Sequence, residues 1–278
     1  MTRIDAHQHF WKFDPIKDSW INDEMKILQT DFMPADLLPL LQKHNVDGCI
    51  AVQAHESETE NDFLLQLAKE NDFIKGIVGW IDFMDKNLEQ RLIHYNDEKL
   101  MKGFRYMLQG YDERALMLHP TFQKNIGLLQ KYNFTYDLLI HSDQLIHTLK
   151  LAQNFPDQPF IIDHIAKPDI KNKSSHNWLK DITALTSTKN VYCKLSGMTT
   201  EADLNSWKKE DIFPFIDTVV NAFGTKRLLF GSDWPVCILA GSYSKTLDVV
   251  EDYFQSFSID EQADIMGRNA IQFYNLHQ

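Results

Sequence analysis

The sequence predicts an α/β fold in which eight parallel strands close into a (β/α)8 barrel. Eight short apolar or β-branched runs recur along its 278 residues. Most are near-continuous rather than alternating, as in strands covered on both faces. Stretches with helical spacing separate them, and that alternation builds a parallel sheet. The length also suits such a barrel, which commonly occupies about 250 residues as one unit, so residues 1–278 read as a single domain. A doubly wound open sheet satisfies the same alternation and stays as the alternative.

The strands are expected at Ile4–His9, Gly48–Gln53, Ile74–Ile81, Met101–Met107, Phe134–His141, Phe160–Ile165, Val191–Leu195 and Arg227–Gly231. Pro34–His44 carries Leu37, Leu38, Leu40 and Leu41 at helical spacing, and Pro34 suits a first turn. Asn61–Asn71 and Gln123–Tyr132 repeat the pattern, and Ser142 is placed to cap a helix through Leu145, Leu149 and Ala152. Asn177–Leu185, Asp211–Phe223 and Ser244–Phe257 follow. Ser258-Ile259-Asp260-Glu261 is a capping box opening a last helix to about Tyr274. The stretch from Phe10 to Met33 is long for a βα connection, and Trp11, Trp20 and Ile21 mark it as a packed lid.

Composition excludes several classes. Apolar residues make up 44% and aromatics 12%, enough for a full core. A net charge of −11 argues against nucleic acid and anionic membranes as partners. Cys49, Cys193 and Cys237 are far apart, odd in number and set in apolar runs, which suits buried free thiols. No run has transmembrane length and the N-terminus lacks a signal-peptide core, so a cytoplasmic location is expected.

In a barrel of this kind chemistry sits where the strands end at their C-terminal side. The first strand ends in His7 and His9, which share a face because side chains alternate with period two. His55, Glu56 and Glu60 lie just beyond Gln53, at the end of the second. Trp80 and Asp82, Arg105, His141, His164, then Lys194 and Ser196, and finally Asp233 follow at successive strands. His44, His94, His119, His147, His176 and His277 fall in helices or loops and read as surface residues. His7, His9, His141 and Asp233 are ligand types that surround one divalent ion, Zn2+ foremost, and leave a position for water. Asp233 can also take a proton from that water. His164 is placed to polarise a carbonyl, and Arg105 offers a fork for carbonyl or hydroxyl oxygens. Lys102, of opposite parity, is structural. Gly231 allows close backbone approach before Asp233.

In order, Asp5-Ala6-His7-Gln8-His9-Phe10-Trp11, Trp20, Val52-Gln53-Ala54 with Glu60, Val78-Gly79-Trp80 and Lys102-Gly103-Phe104-Arg105 form one series. It continues through Asp163-His164-Ile165-Ala166-Lys167-Pro168, Lys194-Leu195-Ser196-Gly197-Met198, Gly231-Ser232-Asp233-Trp234-Pro235-Val236 and Arg268-Asn269-Ala270. The series resembles the amidohydrolase superfamily in its amidohydrolase-2 branch. Within the branch it is most similar to the sugar-lactone hydrolases of the L-fuconolactonase and L-rhamnonolactonase type. The resemblance implies a distorted TIM-type barrel that opens a neutral, small-molecule sugar lactone. His7, His9 and Asp233 would form its centre, with His164 and Arg105 activating the carbonyl. Trp11, Trp20, Trp80 and Trp234 would wall the sugar, and Gln53, Glu56, Arg105 and Lys167 would bond its hydroxyls. Two-metal members of the superfamily bridge their ions with a modified lysine after the fourth strand. Arg105 occupies that region here, so at most one metal is expected, and metal-free catalysis stays open. A nonoxidative decarboxylase of an aromatic or unsaturated acid is the alternative on the same scaffold. An exposed barrel helix could pair two copies into a homo-oligomer.

Overall fold

The computed structural model describes residues 2–276; Met1, His277 and Gln278 lie outside them. Eight parallel strands run in sequence order around one sheet, a nearly closed TIM-type barrel. They are β1 (Ile4–Gln8), β2 (Gly48–Val52), β3 (Ile74–Gly79), β4 (Met101–Tyr106), β5 (Thr135–Leu138), β6 (Phe160–Ile162), β7 (Val191–Leu195) and β8 (Leu228–Phe230). Every expected strand is present. Most end one or two residues short of the expected bound, and two end three residues short: β5 at Leu138 rather than His141, and β6 at Ile162 rather than Ile165.

The intervening helices are α1 (Pro34–Lys43), α2 (Glu58–Glu70), α3 (Leu88–Asn96), α4 (Pro120–Lys131), α5 (Leu145–Asn154), α6 (His176–Ala184), α7 (Lys209–Phe223) and α8 (Tyr243–Phe254). The sequence reading lacks α3, whose nine residues bury only Leu88, Leu92 and Tyr95 and so carry a thin apolar stripe. Ser142 is not a helix cap. It opens a 3-10 turn, Ser142–Gln144, and α5 begins after it. The Ser258 capping box is formed, with Ser258 Oγ accepting from the Glu261 N–H at 3.3 Å and Glu261 Oε2 accepting from the Ser258 N–H at 3.0 Å. The expected last helix is broken into α9 (Ile259–Ala263), a π-helical turn (Asp264–Arg268) and α10 (Asn269–Phe273).

Two apolar layers hold the barrel. Cys49, Phe104, Tyr136, Leu195 and Phe230 face the helices in the larger one. Ile4, Ala6, Ile50, Val52, Val78, Ile161 and Leu229 pack inside against Ala270, Phe273 and Tyr274, so the last helix plugs one mouth. Lys102 serves that end, donating from Nζ to the Asn275 carbonyl at 3.2 Å.

Closure between β8 and β1 bears directly on the chemistry. The seam is bridged just past the strands, with Gln8 paired to Trp234. There the His9 N–H donates to Trp234 O at 2.7 Å and the Asp233 N–H to His7 O at 2.8 Å. Gly231 permits this approach, since a Cβ there would lie 2.6 Å from His7 Cβ. The backbone bonds that shut the barrel thus set the histidine pair against Asp233.

Candidate active site

His7 and His9 share a face, as period two requires. Their Nε2 atoms lie 3.2 Å apart, and Asp233 Oδ1 is 3.7 Å from the first and 3.3 Å from the second. All three side chains are nearly or fully buried. Asp233 holds a left-handed backbone, φ 57°, a conformation that aspartate tolerates better than most residues. Burial alone would raise its carboxyl. His164, His9 and His7 together override that and hold it well below the usual carboxylate range.

His164 is aimed into the same space, its Nε2 4.0 Å from Asp233 Oδ1. It opens an unusual turn in which His164, Ile165, Ala166 and Lys167 all have positive φ, between 47° and 61°. Left-handed backbone costs a non-glycine residue about 1–2 kcal/mol. The surroundings therefore over-determine this turn, a pattern associated with functional sites. Ser196 Oγ, just past the end of β7, holds it, accepting from the His164 backbone N–H at 3.3 Å and lying 2.9 Å from Nδ1. Burial lowers the imidazole to about 4, so His164 is neutral at pH 7. Gly197 leaves room for the ring: its φ is +62° and a Cβ would stand 2.5 Å from His164 Nδ1. Gly197→Ala is expected to lower kcat/KM at least tenfold by displacing this imidazole, more than any loss of stability accounts for. Unchanged kinetics, with the melting temperature as control, would refute that placement.

Beneath His7 lies a buried ionic cluster. Lys194 Nζ is 2.5 Å from Asp137 Oδ2, 2.9 Å from Asp163 Oδ1 and 3.1 Å from His7 Nδ1. Tyr274 donates its hydroxyl to Asp137 Oδ2 at 2.8 Å. Arg105 donates from Nη1 to Asp163 Oδ2 at 3.1 Å and from Nη2 to the Gln53 carbonyl. Burial pushes Asp137 up to about 6 despite Lys194. At Asp163, Lys194, His7 and Arg105 outweigh burial and hold the carboxylate ionised. Asp137, Lys194 and Tyr274 received no role from the sequence. Asp137 is hidden in an apolar run and Tyr274 comes from the far end of the chain.

The three groups His7, His164 and Asp233 each bring a ligand atom within 4.8 Å of the others. The donor set fits a single divalent ion. Bonds of 2.0–2.1 Å in a tetrahedron put ligand atoms about 3.3–3.4 Å apart. His9, facing the same space, meets that spacing at 3.2 Å from His7 and 3.3 Å from Asp233, while Asp233 Oδ1 stands wider, 3.7 Å from His7 and 4.0 Å from His164. His9 Nδ1 lies 2.8 Å from Val52 O, which fixes the proton there and turns the Nε2 lone pair inward. Asp163 Oδ1, 3.2 Å from His7 Nδ1, orients His7 in the same way.

His141 is not part of the group. Because β5 ends at Leu138, the inward position on that strand belongs to Asp137. His141 falls three residues later, exposed, with Gln144 Oε1 accepting from its backbone N–H at 3.0 Å. The cavity over the site, about 330 Å³, is lined on its polar side by His9, Arg105, His164, Lys167, Glu201 and Asp233. Trp20, Met25, Leu139, Val236 and Leu239 are among its apolar lining. Of the other expected substrate contacts, none is among the lining side chains. Trp11 donates from Nε1 to Thr30 O at 2.9 Å and packs edge-on against Trp20. Trp234 packs on Phe10 and Phe32. Gln53 donates from Nε2 to Arg105 O at 3.1 Å, and Trp80 stacks on Tyr106. Glu56 is partly buried, and burial raises its carboxyl.

Glu60, just behind the wall, accepts from the Ala54 N–H at 3.1 Å, and burial pushes it up to about 7. Its folded pKa lies above the unfolded one, so its contribution favours the fold below about pH 4.5 and is lost as pH rises through 7. Melting curves from pH 5 to 8 should lose roughly 2 kcal/mol of pH dependence in Glu60→Gln. A variant with the parent's slope would show that Glu60 does not titrate there.

Among the described residues no helix is long and apolar enough to cross a membrane, and the three cysteines are buried and free. A family model described as amidohydrolase matches residues 4–276. An L-fucono-1,5-lactonase of Burkholderia multivorans is 35% identical over 99% of this chain and 96% of its own length. A crystal structure of an amidohydrolase from Burkholderia multivorans with bound Zn superposes with a TM-score of 0.96 at 33% identity, covering 100% of both chains. A 2,6-dihydroxybenzoate decarboxylase from Rhizobium superposes at 0.71 with 13% identity over 99% of both chains, which shows a shared fold alone.

Proposed function

Because the chain belongs to the amidohydrolase family, we propose that it is a lactonase opening an aldonolactone, of the L-fucono or L-rhamnono kind, to the sugar acid. The observation that carries this is Asp233: an ionised carboxylate 3.3 Å from His9 Nε2, facing a cavity it shares with His164 and Arg105. A water held by Asp233 attacks the ring carbonyl and gives its proton to the carboxylate. Neutral His164, with Ser196 at its Nδ1, presents an Nε2–H to the oxygen on which charge develops, and the Arg105 guanidinium adds positive potential. Collapse expels the ring oxygen, which takes the proton back from Asp233 and leaves as a hydroxyl. One divalent ion on His7, His9 and Asp233, with His164 beside it, would polarise the carbonyl and lower the pKa of the attacking water. The apolar wall takes the C–H faces of the ring, and a neutral substrate is indifferent to the acidic surface.

The test is a pH-stat assay over a panel of aldonolactones, with metal content measured on the same protein. Acid release from at least one lactone is the expected result. Carbon dioxide evolution from an aromatic acid, without lactone opening, would support decarboxylation instead.

A further inference from the structure

We infer that Lys167 and Glu201 form a hydroxyl-reading pair that fixes the polyol side of the substrate, with Glu201 setting the preference for hydroxylated over unsubstituted lactone rings. The inference rests on the lactonase reading above and adds a residue to it. Both side chains line the same cavity as Asp233 and His164. Lys167 closes the left-handed turn that His164 opens. A carbonyl-polarising group and a hydroxyl donor therefore ride on one constrained segment. Glu201 is equally fixed. Its N–H donates to Gly197 O at 3.3 Å, and its carbonyl accepts from the Lys171 N–H at 3.1 Å. That second bond ties the loop after β7 to the loop after β6.

The spacing of the two charges is the telling feature. Lys167 Nζ lies 3.8 Å from Glu201 Oε1, although the side chains are only 21% and 27% exposed. Most other pairs close, such as Arg114–Asp143 at 2.6 Å and Lys226–Asp264 at 2.7 Å. The similarly open Lys171–Asp203 and Arg268–Asp264, both at 3.7 Å, each include a cation that is more than half exposed. Among the described residues neither side chain makes another ion pair. A sugar hydroxyl both donates and accepts, and bonds of about 2.8 Å to each partner span a gap of this size. An ammonium beside a carboxylate is thus matched to a hydroxyl inserted between them. With the carbonyl at Asp233 and the ring's C–H face on Met25, Val236 and Leu239, the hydroxyl-bearing side is left to this pair.

The experiment compares Glu201→Gln and Lys167→Met with the parent enzyme on an aldonolactone and on δ-valerolactone, which has no hydroxyl. Hydrogen bonds to charged groups of this kind discriminate by roughly 10- to 100-fold. In each variant, the loss of kcat/KM on the aldonolactone should exceed the loss on δ-valerolactone by at least about tenfold, mainly through KM. Equal losses on both rings would assign the pair to folding or chemistry and overturn the inference, as would no loss on either. If the parent opens no aldonolactone, the proposed function fails by itself. Calorimetric binding of an aldonic acid then decides the pair: binding weakened in Glu201→Gln supports it, and equal or absent binding overturns it.

Discussion

Asp233→Asn is expected to lower kcat/KM on an aldonolactone by about a thousandfold while leaving the barrel folded. Asparagine has nearly the same shape and also tolerates the left-handed backbone at this position. Its N–H still reaches His7 O, so the seam between β8 and β1 stays closed. What is lost is the charge. An amide cannot accept a proton from water, and it is a poor ligand for an ion shared with His7 and His9. The melting temperature should move by a few degrees at most, and any bound divalent metal should fall in stoichiometry. Turnover within tenfold of the parent, in a folded variant, would remove Asp233 from the centre of the reaction.

The second large effect is expected from Lys194→Met, and it is an effect on stability. The ammonium is fully buried and stands between Asp137 and Asp163. Methionine replaces the stem well but leaves two carboxylates without their central counter-charge. Breaking a buried pair from one side costs about 3–5 kcal/mol, which in a chain of this size lowers the melting temperature by roughly 10 °C. The design of the test separates charge from packing. Adding Asp137→Asn to Lys194→Met removes one orphaned carboxylate and should recover part of the loss. If the double variant is no more stable than the single one, the two side chains are not coupled and the ionic account is wrong. His7 would also lose the charge that holds Asp163 against its Nδ1, so activity should fall alongside stability.

The site residues differ in how they could be found. His7, His9, His164, Arg105 and Asp233 were legible because polar residues at the ends of apolar runs stand out in a one-dimensional pattern. Asp137 sits inside such a run, and Lys194 only one residue from the end of another. Lys194 stood out as a strand-end polar residue without showing its partners, whereas Asp137 looks like an interruption of a strand until the barrel closes around it. Tyr274 is 137 residues from Asp137, a partnership that no local pattern encodes. His141 shows the opposite error. Its run was apolar long enough to suggest an inward histidine at the strand end, but β5 stops at Leu138 and the position goes to Asp137. Trp11 and Trp234 looked like sugar walls, and they pack instead against Trp20, Phe10 and Phe32.

The sequence by itself determined the eight strands, their alternation with helices and most of the residue types gathered at their ends. Periodicity and apolar content act over a few residues, and those forces are written locally. The tertiary structure decided which polar groups meet. The seam bonds between β8 and β1 bring Asp233 to the histidine pair. The left-handed turn after β6 aims His164 inward and carries Lys167 to Glu201. Those meetings depend on barrel closure and on backbone conformations that long-range packing imposes, so they follow from the folded chain alone.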